Sequence, residues 1–214
     1  MLKIVSFKHS ERGLLKLILA CVLAIGAGAG FYLWYQAQQG TVQVSQPEEV
    51  RGSAVTLKKL REEYFPQLHE MFSNEVRKGL EFPPVINFGY TIAYMRELER
   101  RSSTTKGMLY VIFDNKDNLP IGTIEIREYD PQDVGQMGCW INEKYWGGGR
   151  IVEAIKLISK TYFNRYPEEK SFLAWARVWN QRSYKALKKA GFVDDGYIYH
   201  NGKPSYYQLK MHKG

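Results

Sequence analysis

The chain has 214 residues, 44% of them apolar, and a formal net charge of +8. That length fits one domain of ordinary size plus an appendage, and the apolar share is enough for a sizeable core, which excludes a wholly disordered chain. Two cysteines, Cys21 in an apolar N-terminal run and Cys139 in a predicted core strand, exclude a disulfide framework, and no ligand spacing points to a bound metal.

Residues 1–36 read as an N-terminal tail and a transmembrane helix. Leu17 to Gln36 carries no charge, and twenty helical residues rise about 30 Å, the thickness of a hydrocarbon core. Tyr32, Trp34 and Tyr35 cluster at one end, where an aromatic belt belongs. A cleaved signal peptide is the rival reading, since Ala27-Gly28-Ala29 resembles a cleavage site. Lys3, Lys8, Arg12 and Lys16 precede the run, and only Arg51 appears in the next twenty residues. The positive-inside rule therefore places the N-terminus in the cytoplasm and the main domain across the membrane. Residues 37–52 read as a polar linker, and residues 53–214 as the main domain.

In that domain Val55–Leu60 is a short predicted strand. A helix follows to about Phe72, with Pro66 in its first turn. Pro83-Pro84 breaks the chain, and Tyr90–Arg101 is an amphipathic helix. Its bases alternate with acids, the mark of a solvated face and not of a nucleic-acid patch. Met108–Phe113, Ile121–Tyr129 and Gln136–Ile141 make an antiparallel meander. Gly147-Gly148-Gly149 then opens a helix running to about Asn164. Phe172–Trp179 is a strand parallel to the one before the glycines, because a helical crossover joins them. Asn180 caps a helix to Ala190, Gly191 ends it, and two strands flank the turn Asn201-Gly202. The domain is α+β: a mixed, mostly antiparallel sheet with flanking helices, preceded by the membrane segment.

Glycines between a strand and a helix leave backbone N–H groups free at a helix N-terminus, a geometry that holds phosphate. A bare turn has the same composition, so the surroundings decide. Ile121-Gly122-Thr123, Gly138-Cys139-Trp140-Ile141-Asn142, Tyr145-Trp146-Gly147-Gly148-Gly149 with Glu153-Ala154, Asn180-Gln181-Arg182-Ser183 and Gly191-Phe192 stand in a specific order and spacing. On these motifs residues 53–212 resemble the GNAT superfamily of N-acetyltransferases, most closely the ribosomal-protein-alanine N-acetyltransferase branch.

The resemblance implies acetyl-CoA as cofactor and transfer of acetyl to a primary amine, on a protein N-terminus or a small molecule, by direct attack in a ternary complex. It assigns the pyrophosphate to Trp146, Gly147, Gly148, Gly149, Arg150, Ile151 and Val152, and the pantetheine to Cys139, Trp140, Ile141, Asn180 and Ser183. Aligned on Glu153-Ala154, Ile151 occupies a position where the family has Gly or Ala. Sliding by two residues fits Lys144, Gly147 and Gly149 instead but breaks the helix register. The family's general-acid Tyr is replaced by Leu187, with Ser183 as substitute, and Gln136 stands where relatives often carry Glu. Glu125 is then the candidate base, although its alternation with Ile124 and Ile126 equally lets it face solvent. Ser183 and Asn180 each also have a purely local reading, as a first-turn residue and an N-cap. Cys139 is not read as a nucleophile, since a thiol in an apolar strand lacks the setting that makes a thiolate. The departures at Gln136, Ile151 and Leu187 leave a second reading, a catalytically degenerate, membrane-tethered module that binds CoA or a protein. No nucleic-acid partner is expected, and the membrane partner is residues 17–36.

Overall fold

Seven consecutive buried residues in Met108–Asp114 and seven more in the neighbouring strand mean that the centre of the sheet is covered on both faces. The computed structural model describes residues 46–103, 106–128 and 135–214. Its strands are β1 (Glu49–Arg51), β2 (Val55–Lys59), β3 (Met108–Asp114), β4 (Pro120–Arg127), β5 (Gln136–Ile141), β6 (Ser171–Arg177), β7 (Val193–His200) and β8 (Lys203–His212). Its helices are α1 (Phe65–Glu70), α2 (Asn74–Leu80), α3 (Phe88–Ser102), α4 (Arg150–Arg165) and α5 (Gln181–Ala190). The eight strands lie in the order β1-β2-β3-β4-β5-β6-β8-β7. Every neighbouring pair is antiparallel except β5 and β6.

Two apolar layers sandwich the sheet. On one face Met108, Tyr110, Ile112, Ile124 and Ile126 meet Ile155, Ile158 and Tyr162 of α4. On the other, Leu109, Val111, Phe113 and Trp140 meet α1, α2 and α3 through Leu68, Phe72, Val76, Met95 and Leu98. The period of two in the strands assigns each side chain to its layer. Each buried Leu, Ile or Phe contributes about 1.5–3 kcal/mol.

Most predicted elements stand where the sequence puts them. Pro66 lies in the first turn of α1, and Asn180 and Gly191 bound α5, with Gly191 at φ 114. Asn201 and Gly202 both have positive φ, as a tight hairpin turn requires. Three features differ. Glu49–Arg51, read as linker, is an edge strand paired with β2. Residues 74–80 form α2, capped by the Ser73 hydroxyl, which accepts from the Val76 amide at 3.3 Å. Glu125 does not face solvent: α3 covers that face of β4, and the side chain is 5% exposed. The expected membrane span at 17–36 lies outside the described residues, and so does most of the linker. Among the described residues no helix is long and apolar enough to cross a membrane.

Glu153 fastens α4 to the start of β2. Its carboxylate accepts from the Ser53 amide and hydroxyl, both at 2.7 Å, and from the Ala54 and Val55 amides at 2.7 and 3.0 Å. Burial raises its pKa, and the bonds from Ser53, Ala54 and Val55 outweigh that and hold it below the ordinary value. A lowered folded pKa gives stability that is complete above the unfolded value, about 4.3, and is lost as pH falls through the folded one. Glu153→Ala is expected to cost about 1–3 kcal/mol at pH 7 in urea denaturation and to lose less stability than wild type on acidification below pH 4.3. An unchanged midpoint at pH 7 contradicts this role.

Candidate active site

The parallel strands β5 and β6 pair through Gln136–Leu173 and Met137–Ala174 and then part. Beyond Met137 the backbone of β5 has no β6 partner, so Gly138 to Ile141 border a gap. A cleft of about 400 Å³ occupies it, bounded by β5, the start of α4, the start of α5 and α2. Cys139, Trp140, Ile141, Trp146, Ile151, Asn180 and Ser183, seven of the residues expected at the site, line it together. Unpaired amides along such an edge can accept an amide-bearing ligand as if it were another strand.

Between the lining residues Trp146 and Ile151 the chain turns on three glycines. Gly147, Gly148 and Gly149 all have positive φ, at 84°, 57° and 79°. Side chains rarely adopt that backbone, and a run of it turns successive N–H groups to one side. No side chain caps α4, whose N-cap is Gly149 itself. The first N–H groups of a helix have no partner within it, so an anion is their natural complement. Beyond adjacent residues, a Cβ at Gly147 or Gly149 would meet nothing within 4 Å, whereas one at Gly148 would stand 2.9 Å from the Arg150 guanidinium. Ala154 is fully buried while Glu153 reaches β2, which fixes the face that α4 turns to the sheet. Ile151 forms part of the cleft wall and packs on the core. Gly147, Gly148, Gly149, Arg150 and Val152 are not cleft-lining residues, and Arg150 is paired with Asp114. Arg182, at the start of α5, lies over the Trp146 ring at 3.2 Å from its centroid, a cation at the same end of the cleft.

The candidate proton-handling groups separate. Ser183 lines the cleft, and its amide donates to the Asn180 side chain at 3.1 Å. Asn180 therefore caps α5 and faces the cleft at once. Glu125 does not line the cleft. It lies under α3 against Arg127, and Ser102 donates to it at 3.3 Å. Burial is the main influence on its carboxyl and pushes it above the ordinary range, against Arg127 and Ser102. It also sits where a side chain at position 138 would go: a Cβ there would stand 3.1 Å from its Oε1. Gln136 accepts from Arg127 at 3.3 Å in the same buried group. Burial, and secondarily the Glu125 charge, pushes the Cys139 thiol up to about 12, so it stays protonated at neutral pH. Leu187, at the family's tyrosine position, is a buried part of the cleft wall. The sequence reading missed Glu75 of α2, the one acidic side chain among the described residues lining the cleft. Its signal was the pair Ser73 and Val76, a cap opening a short helix in a segment broken by prolines.

The acetyltransferase (GNAT) domain family matches residues 54–193. No curated protein matches the chain by sequence. Among solved structures, a GNAT-family acetyltransferase from Bacillus anthracis is similar at 19% identity, covering 77% of this chain and 98% of that one, with a TM-score of 0.62. RimL, a ribosomal L7/L12 alpha-N-protein acetyltransferase, is similar at 19% identity over 78% of this chain and 94% of its own, with a TM-score of 0.65. The microcin C7 self-immunity acetyltransferase MccE, solved with acetyl-CoA and AMP, is similar at 16% identity over 80% and 99%, also at 0.65. At these identities the structures show a shared fold. With the glycine loop, the parted strands and the match over residues 54–193, the chain belongs to the acetyltransferase (GNAT) family.

Proposed function

We propose that the cleft between β5 and β6 carries out N-acetylation, moving acetyl from acetyl-CoA to a primary amine of a protein N-terminus or a small molecule by direct attack in a ternary complex. The chain is an acetyl-CoA-dependent acyltransferase of its family. The observation that carries the reading is the parting of β5 from β6 beside three left-handed glycines and an uncapped helix. When bound, the cofactor supplies an activated thioester. The amides of residues 147–152 and the α4 dipole would hold its pyrophosphate, with Arg182 adding charge. The β5 edge and Asn180 would hold the pantetheine, and an amide near Cys139 to Ile141 would meet the thioester oxygen.

In this reading the Ser183 hydroxyl protonates the departing sulfur. Glu125 does not line the cleft and is held in a buried ion pair with Arg127, so this reading routes no proton through it. RimL and MccE act on a ribosomal protein and in microcin immunity, so this fold serves both protein and small-molecule acceptors. Ile151 in the cleft wall and Leu187 in place of a tyrosine favour the alternative of a degenerate CoA- or protein-binding module. Calorimetry with acetyl-CoA, followed by thiol release with a panel of amines, separates the two. Binding with turnover is expected, and Ser183→Ala should lower kcat by about 100-fold or more while the acetyl-CoA Kd stays within about twofold. Binding without turnover supports the module, and no binding sinks the enzyme and the CoA-binding form of the module.

The apolar run at 17–36 supports a single-pass membrane tether on the domain, with the residues between it and β1 as the connection. Acetyl-CoA supply favours the cytoplasmic side for the domain, and the charge flanking the run favours the opposite side. A reporter fused after Gly214 is expected to be active in the cytoplasm, and activity only on the exported side contradicts this placement.

A further inference from the structure

The amine side of the cleft is roofed by α2, which is fastened to both walls of the gap. At the β5 end, Asn142 donates from Nδ2 to the Met71 carbonyl at 2.9 Å, and Ser73 donates to Glu143. Phe72 stacks on Trp140 with ring centroids 4.4 Å apart. At the β6 end, the helix terminates on Glu81, a non-glycine residue at φ 57, whose carboxylate pairs with Arg177. A non-glycine residue in that backbone is strained and persists where its surroundings hold it, here through the ion pair. The roof therefore bridges the point where the strands part.

Glu75, Lys78 and Gly79 stand at i, i+3 and i+4, one face of α2, and all three line the cleft. The other acids nearby are engaged: Glu81 with Arg177, Glu143 with Ser73, and Glu125 with Arg127. Glu75 has no ion-pair or hydrogen-bond partner among the described residues. Lys78 also lines the cleft, its ammonium 5.9 Å from the centroid of the Trp179 ring, another lining residue. The glycine-loop end of the cleft carries Arg182 and the positive end of α4, and its roof carries the Glu75 carboxylate with the Lys78 ammonium one turn on.

We propose that Glu75 binds the acceptor's ammonium group and takes its proton, which rests on the acetyl-transfer reading above. A primary amine is largely protonated near neutral pH, since its pKa lies at about 8–10. A carboxylate in the cleft wall attracts that cation and, on accepting one proton, leaves a neutral nitrogen with its lone pair free. The nitrogen–carbonyl carbon bond forms and the carbon–sulfur bond breaks. The sulfur takes a proton from Ser183, which recovers one from the nitrogen, so that an amide, a thiol and the proton on Glu75 result. The acceptor class is a cationic primary amine. A neutral hydroxyl gains nothing from the carboxylate.

The test uses the full chain, acetyl-CoA, and a probe panel of alanyl and seryl tetrapeptide amides together with butylamine. Glu75 is exposed, so Glu75→Gln should fold as wild type, with a melting temperature that shows it. Glu75→Gln is expected to raise KM for the amine about tenfold and lower kcat/KM about 100-fold, with the acetyl-CoA Kd within about twofold. Glu75→Asp should recover part of the loss. By calorimetry, binding of the best panel amine to the CoA-loaded protein should weaken about tenfold in Glu75→Gln. Wild-type kinetics in Glu75→Gln overturn the proposal, as does a wild-type chain that binds acetyl-CoA and acetylates no panel member. Failure of acetyl-CoA to bind wild type overturns the cofactor reading and this proposal with it.

Discussion

The structure depends on how little β5 and β6 share. Two residue pairs, Gln136–Leu173 and Met137–Ala174, join the antiparallel meander to the C-terminal strands. A sheet that paired further would bury its edge and leave no cleft. One that paired less would lose its continuity, because no other strand contact joins the two halves among the described residues. Backbone groups freed beyond Met137 must find partners elsewhere. The protein leaves them facing a cleft wide enough for a ligand, and a ligand that offers amides is their physical complement.

The elements around the gap serve that constraint in different ways. The glycine loop exposes N–H groups on a run of backbone that side chains rarely adopt, and α4 aims its positive end there. Glu153 ties the first turn of α4 to β2, so the helix that presents the loop is held from both the core and the sheet edge. Asn180 spends its side chain on the α5 cap and still faces the cleft, so capping and ligand contact do not compete. The roof α2 adds the Glu75 carboxylate, which has no protein partner among the described residues, beside Lys78. In the proposed reaction that carboxylate draws the acceptor's ammonium into the cleft that holds the thioester, a proximity effect.

Much of this was legible in the sequence because long elements carry long signals. Helix α4 shows its period over sixteen residues, the strands of the meander are bounded by turn residues, and Asn180 and Gly191 mark both ends of α5. The motifs around Trp140, the glycines and Asn180 then placed most of the cleft wall. What escaped was short or ambiguous. Helix α2 has seven residues, too few for a period to stand out beside Pro83-Pro84. Strand β1 is three largely polar residues on an edge, and such strands look like linker. Glu125 misled for a different reason. Alternation of Ile and Glu in a strand usually means one wet face, and here α3 covers that face, so the carboxylate is buried with Arg127. Alternation reports polarity, and only the packing of other elements decides exposure.

The most direct test of the central claim is the amide spectrum of the isotope-labelled protein titrated with acetyl-CoA. If the parted strands and the glycine loop hold the cofactor, shifts should concentrate at residues 138–141, 147–152 and 180–183, and amide exchange should slow at Gly147 to Gly149. Saturable binding that leaves those amides unmoved, or no binding at millimolar acetyl-CoA, would contradict the account.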